Sequence, residues 1–211
     1  LCLYYIEVHS VSEASQGINF NNLRELMEVF LYGFRPSVFF NESTSITRVY
    51  RHIISSNHTV ASKVECTMSS THVISSAIIY DTNTSRWIMW YCGANDLLLY
   101  RTDSLDGLTW ISPINLSTKS PYILWHPSVF SIDGKYMIIV AAYPRNTSNT
   151  HTSLYETQPI DLNDCIHLNT EPILVPATSG WTSGQIYRSY LVSVDGQYKI
   201  FVSARDNSGQ W

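Results

Sequence analysis

Apolar and polar positions along residues 77–110 (AIIYDTNTSRWIMWYCGANDLLLYRTDSLDGLTW) come in blocks. An apolar run, a polar turn, an aromatic run, a glycine loop and a second apolar run lead into Ser104-Leu-Asp-Gly-Leu-Thr-Trp110. In the aromatic run Trp87, Met89 and Tyr91 fall on one side, and Ile88, Trp90 and Cys92 on the other. With a side-chain period of two, neither face is polar, which predicts a strand covered on both sides, as in stacked sheets. Two shorter echoes follow, His126-Pro-Ser-Val-Phe-Ser-Ile-Asp-Gly-Lys-Tyr leading to Ala142, and Tyr187-Arg-Ser-Tyr-Leu-Val-Ser-Val-Asp-Gly-Gln-Tyr leading to Ala204. Each predicts a short strand, an Asp-Gly turn and an aromatic-led strand ending in small residues. That is a repeated antiparallel unit.

The same pattern divides the remainder. Residues 3–8 form a β-favouring run, followed by a Ser/Gly/Asn-rich loop. Residues 21–31 read two ways. Leu23, Leu26, Met27, Phe30 and Leu31 recur at helical spacing behind an Asn22/Glu25 capping box, whereas Met27 to Gly33 has the shape of Trp87 to Gly93. Pro36 opens a strand at a position where its missing N–H is harmless. Strands are expected at 46–54 and 60–66, with short ones at 153–159 and 172–175. Loops are expected at 112–120, 144–152 and 178–185.

Units at 77–121, 126–165 and 187–211, roughly 45–60 residues apart with several strands in each, predict an all-β chain folded as a β-propeller. No linker interrupts residues 1–211, so a single domain is the simplest division, and 211 residues suffice for a sizeable core. Charged residues at 14% and aromatics at 13% fit an ordered β protein. A net charge of -4, a pI near 5.9 and the lack of any Lys/Arg run exclude a nucleic-acid footprint. No apolar run is long enough to cross a bilayer. The chain starts at Leu1 without Met, as a processed or incomplete chain would.

Cys2, Cys66, Cys92 and Cys165 lack C-x-x-C spacing, which argues against zinc; they form two disulfides in one of three pairings, or remain buried thiols. Sequons at Asn41, Asn57, Asn83, Asn115 and Asn146 add to an expectation of an extracellular or virion-associated setting. His72, His126, His151 and His167 do not fall at metal-ligand spacing, and no cofactor motif is legible.

His126-Pro-Ser-Val with Asp133-Gly-Lys-Tyr, Tyr100-Arg-Thr-Asp-Ser-Leu-Asp-Gly-Leu-Thr-Trp110 and Gly184-Gln-Ile-Tyr-Arg-Ser together resemble the five-bladed propellers of glycoside hydrolase families 43, 32 and 130, closest in flavour to propellers of phage-tail and other virion proteins. The resemblance covers residues 73–211 and extends to Arg35-Pro-Ser-Val38 as an earlier blade start. Ser104 to Trp110 also resembles the Asp-box of sialidase propellers, one residue short; Asp106-Gly107 would make its tight turn and Trp110 would pack between blades.

In the resembled enzymes an Asp before Pro on a blade's inner strand supplies the base, one of the two carboxyl groups that glycoside hydrolysis requires. Here the comparable places read Arg35-Pro, His126-Pro and Tyr187-Arg-Ser, so the carboxylate is missing each time. Asp81, Asp106, Asp133 and Asp195 sit in turn sequences as turn formers, and Glu65 beside Cys66 resembles the Glu-Cys pair of one hydrolase family. Arg35, Trp125, His126, Tyr187 and Arg188, at inner-strand positions, are the candidate ligand residues, joined by Asp96 in a loop and Glu156 on a later strand. Aromatic faces stack on sugar rings, and Arg donates to hydroxyls or carboxylates in a planar fork; the competing reading makes Trp125 and Tyr187 blade-packing core. The expectation is a non-catalytic propeller that binds a glycan or glycoprotein, as a structural or receptor-binding component of a virion or extracellular assembly. Its alternative is a glycoside hydrolase or phosphorylase acting on oligosaccharides. A third reading follows from length: five blades need about 250–300 residues, so an unclosed ring would self-associate through open sheet edges into a filament or shell.

Overall fold

The computed structural model describes residues 37–43, 47–54, 60–69, 73–117, 120–132, 135–147, 152–158, 166–194 and 197–210. Among them every regular element is a strand, and the strands form four sheets. The first holds β1 (Ser37–Ser43), β2 (Thr47–Ile54) and β3 (Val60–Glu65). In the second, β5 (Val73–Asp81), β6 (Arg86–Gly93), β7 (Leu99–Ser104) and β8 (Thr109–Asn115) lie side by side, and the short β4 (Thr67–Met68) runs parallel to β8 at the far edge. The third contains β9 (Tyr122–Ile132), β10 (Lys135–Pro144) and β11 (Ser153–Glu156), and the fourth the hairpin β12 (Gln185–Val194) and β13 (Gln197–Arg205). First strands of successive sheets are neighbours: β1 touches β5, β5 touches β9 and β9 touches β12. Consecutive antiparallel sheets that meet face to face, with their first strands gathered together, make part of a β-propeller. The all-β class expected from the hydrophobic pattern is the one adopted.

The side chains between the sheets explain why. Ile88, Trp90 and Cys92 of β6 pack with Leu124 of β9 and Tyr136, Ile138, Val140 and Ala142 of β10. From the other face of β6, Met89 and Tyr91 pack with Val49 of β2, Cys66, Val73, Ile78 and Trp110. β10 repeats the arrangement, its other face giving Ile139 and Ala141 to a cluster with Leu154, Ile186 and Ala204. A strand apolar on both sides is therefore placed between two sheets, where each fully buried large side chain contributes about 1.5–3 kcal/mol. β13 differs: Ile200 and Phe201 are exposed, Phe201 to 61%.

Ser104 to Trp110 forms the turn expected of it. Asp106 Oδ1 accepts from the amides of Leu108 and Thr109 and from the Ser104 hydroxyl, while Oδ2 accepts from the Thr109 hydroxyl. Those donors, the Thr109 and Leu108 amides foremost, hold the carboxyl well below the usual carboxylate range. Gly107 has φ +70°, and a Cβ there would meet Arg51 Nη1 at 3.0 Å and Trp87 Nε1 at 3.1 Å. The left-handed backbone and the close side-chain neighbours both favour glycine there. Trp110 is 2% exposed and packs at the seam between the first two sheets.

Several boundaries differ from the sequence expectation. Residues 112–115 belong to β8 rather than to a loop, because Arg101 pairs with Ile114 and Tyr100 with Asn115. Residues 172–175 contribute a single bridge, Leu174 to Leu154, in place of a strand. Of the two alternatives for the cysteines, Cys66 and Cys92 take that of buried thiols. Burial pushes the Cys66 thiol up to about 11, and the Cys92 Sγ donates to the Leu124 carbonyl at 2.9 Å. Residues 3–8 and 21–31, with the helix-or-strand alternative there, lie outside the described residues, as do Cys2, Cys165 and Arg35. No helix among the described residues is long and apolar enough to cross a membrane.

Candidate functional site

A bulge interrupts the first strand of three sheets. On β5, Ile74 faces Cys92 and Ala77 faces Trp90, so Ser75 and Ser76 together oppose one residue. Along β9, Trp125 faces Ala141 and Ser128 faces Ile139, leaving His126 and Pro127 opposite Val140 alone. In β12, Ile186 faces Ala204 and Arg188 faces Ser203, so Tyr187 is the extra residue. Ser75 and His126 take left-handed backbones, φ 52° and 49°, a conformation uncommon for residues with a Cβ. Bulges bend a strand and re-aim side chains, and they concentrate near binding sites.

The bulges of β9 and β12 face one another. The His126 ring lies 4.3 Å from that of Tyr187 and 5.5 Å from that of Trp125, both edge-on. These three line a small pocket with Ala141, Tyr143, Thr152 and Gln185. Its interior of about 10 Å³ has room for one water-sized group, so at most a single substituent of a larger molecule enters it. His126 is 4% exposed. Gln185 Nε2 donates to the Thr152 hydroxyl at 3.3 Å, and the Ile186 amide to the Thr152 carbonyl at 3.1 Å, fixing the start of β12 against the third sheet. Gly184 precedes it because a Cβ there would lie 2.3 Å from the Asp206 carbonyl oxygen. Burial raises the Tyr143 phenol, so it stays a neutral hydroxyl. Beside the pocket, the Arg188 guanidinium lies 4.8 Å from the centre of the Tyr187 ring.

Of the residues singled out from the sequence, Trp125, His126 and Tyr187 therefore share one wall, with Arg188 stacked on it. Asp96 and Glu156 lie elsewhere. The Asp96 carboxylate closes the β6–β7 turn, accepting from the Tyr100 hydroxyl and, at 3.1 Å, from the Leu98 amide; burial and that carboxylate push the Tyr100 phenol up to about 12. Glu156 stands on β11, the third strand of its sheet, and accepts from Asn169 Nδ2 at 3.5 Å. Glu65 is exposed on β3 and accepts from the Tyr50 hydroxyl at 3.5 Å. No carboxylate lines the pocket, and among the described residues no group of three or more His, Cys, Asp or Glu is placed to hold a metal ion. Sequence reasoning missed Tyr143, Thr152 and Gln185, which lie on different strands or loops. It also missed the Ser75-Ser76 bulge, whose signal was a small polar pair inside an apolar run.

At the level of sequence, no family model and no curated protein matches the chain. Solved structures do share its fold. An N-acetylgalactosamine deacetylase from F. plautii, in complex with blood group B trisaccharide, aligns at TM-score 0.61 and 19% identity over 75% of this chain and 55% of that one. An exo-1,5-alpha-L-arabinanase from a bovine ruminal metagenomic library aligns at 0.53 and 12% over 86% and 73%. A family 43 beta-1,3-galactosidase aligns at 0.50 and 13% over 79% and 37%. The chain thus spans just over half the length of the deacetylase. All three are carbohydrate-active enzymes by their descriptions, which corrects the expectation of a non-catalytic virion or receptor-binding propeller. The fold is that of the β-propellers of glycoside hydrolase family 43.

Proposed function

We propose that this chain is part of a glycosidase-type enzyme acting on oligosaccharides, with the cleft between the β9 and β12 bulges as its sugar-recognition site. The observation that carries the reading is the convergence of Trp125, His126 and Tyr187 on one pocket with hydroxyl and amide groups from Tyr143, Thr152 and Gln185. Aromatic rings with a few placed hydrogen-bonding groups are what a sugar ring and its hydroxyls require. The likeness in fold adds an analogy, since one propeller hosts many chemistries. In this reading residues 1–211 belong to a single propeller domain of the five-bladed type, and its partner is a glycan. The two carboxyl groups that hydrolysis needs are to be sought away from the pocket lining, with Glu156 and Asp96 the first to exchange.

The test is turnover of a panel of aryl glycosides and oligosaccharides by the full chain. Cleavage of at least one substrate is expected, with KM raised about tenfold or more in Tyr187→Ala and His126→Ala. Failure of every arabino-, galacto- and gluco-configured substrate to be cleaved or bound would end the proposal.

A further inference from the structure

Arg188 stands apart from the other partly buried arginines. Arg86 and Arg101 both pair with Asp103, at 2.7 Å and 3.1 Å. Arg51 Nη1 donates to the Asp106 carbonyl, and Arg145 Nε to the Ser120 carbonyl at 3.1 Å. Arg188 has one long hydrogen bond, from Nη2 to the Tyr187 hydroxyl at 3.5 Å, and its Nε is enclosed without a partner. No Asp or Glu of the described residues is within ion-pair reach of it. A guanidinium carries five N–H donors in a planar fork, so most of this one's capacity is unused. Leaving a partly enclosed cation without its counter-charge is costly, and a protein with net charge -4 has acids to spare for pairing.

Its placement follows from the bulge. The extra residue on β12 puts Tyr187 and Arg188 in contact, so the guanidinium lies on the ring that forms the pocket wall. A ligand that lies over the pocket mouth beside Tyr187 brings a substituent towards that fork. The complement of a planar, two-pronged donor is a carboxylate.

We infer that the saccharide taken by this site is acidic, a sugar whose carboxylate is received by Arg188. The inference rests on the glycan reading above and narrows it to a uronic-acid class. Three probes differ only at that group: the methyl glycoside of galacturonic acid, its methyl ester, and methyl galactoside. Binding of each to the full chain is measured by calorimetry. The acid is expected to bind about tenfold to a hundredfold tighter than its ester, the range of a charge-assisted hydrogen bond. Arg188→Gln is expected to bring acid and ester level. The comparison of acid with ester on the unmodified protein needs no variant to fold. Equal binding of acid and ester, or a preference that survives Arg188→Gln, overturns the inference and leaves the glycan reading standing if the galactoside binds. If neither these probes nor any neutral glycoside binds, both fall together.

Discussion

Two places in this molecule gather polar side chains on irregular backbone, and they use them in opposite ways. In the turn around Asp106 the polar groups bond one another: one carboxylate holds two amides and two hydroxyls, and Arg51 bonds the carbonyl of the same residue. Across the facing bulges of β9 and β12 the aromatic and cationic groups meet each other around a cleft, and Arg188 keeps donors to spare. The turn is a structural device. The cleft has capacity for something that is not protein. Hydrogen-bond satisfaction, more than residue type, separates the two, since an Asp in a propeller turn and an Arg on a propeller strand both look like candidates for chemistry in the sequence.

That contrast predicts an ordering of mutational effects. The largest belongs to the packing that the turn supports: Trp110→Ala, which empties a position 2% exposed at the seam of the first two sheets, is expected to cost about 3–5 kcal/mol in denaturant unfolding. Asp106→Ala comes next, at about 1–2 kcal/mol, comparable to losing a helix cap that satisfies backbone amides. Its signature is in pH. The folded-state pKa of Asp106 is depressed, so its contribution is complete above the unfolded value of about 3.9 and is lost as pH falls below it. Thermal melts between pH 5 and 2 should show a shallower decline in Asp106→Asn than in the parent. Smallest is Arg188→Gln, expected within about 0.5 kcal/mol of the parent in the same unfolding experiment. Should that variant lose more stability than Asp106→Ala, Arg188 would be framework and the contrast would collapse.

Much of the framework was legible in the sequence because it rests on periodicity. β6 has no polar face, and both its faces are covered by neighbouring sheets. The Asp106-Gly107 turn was legible because few residues other than Gly reach φ +70°. The site was legible only along its own strands. Trp125, His126, Tyr187 and Arg188 stood beside recognisable blade starts, whereas Tyr143, Thr152 and Gln185 join them through tertiary pairing that no local pattern encodes. Ser75 and Ser76 occupy the equivalent bulge without an aromatic or a charge, so nothing marked them. Cysteine pairing was beyond reach for a related reason: a disulfide requires Cβ atoms about 3.5–4.5 Å apart, and linear spacing says nothing about that distance. The functional expectation erred by weighing the missing blade-start acids above the architecture that surrounds them.

Where the chain leaves β3, Cys66 alone separates it from Thr67 and Met68, which lie alongside β8: the Cys66 amide bonds to the Val49 carbonyl at 2.9 Å, and the Thr67 amide to the Leu108 carbonyl at 2.7 Å. One short crossing thus fastens two neighbouring blades like a clasp, with a thiol enclosed at the hasp. Such a sulfur meets an alkylating reagent only when the fastening springs open. Alkylation of Cys66, told apart from that of Cys92 by peptide mapping, is therefore a built-in gauge of how often adjoining blades part company.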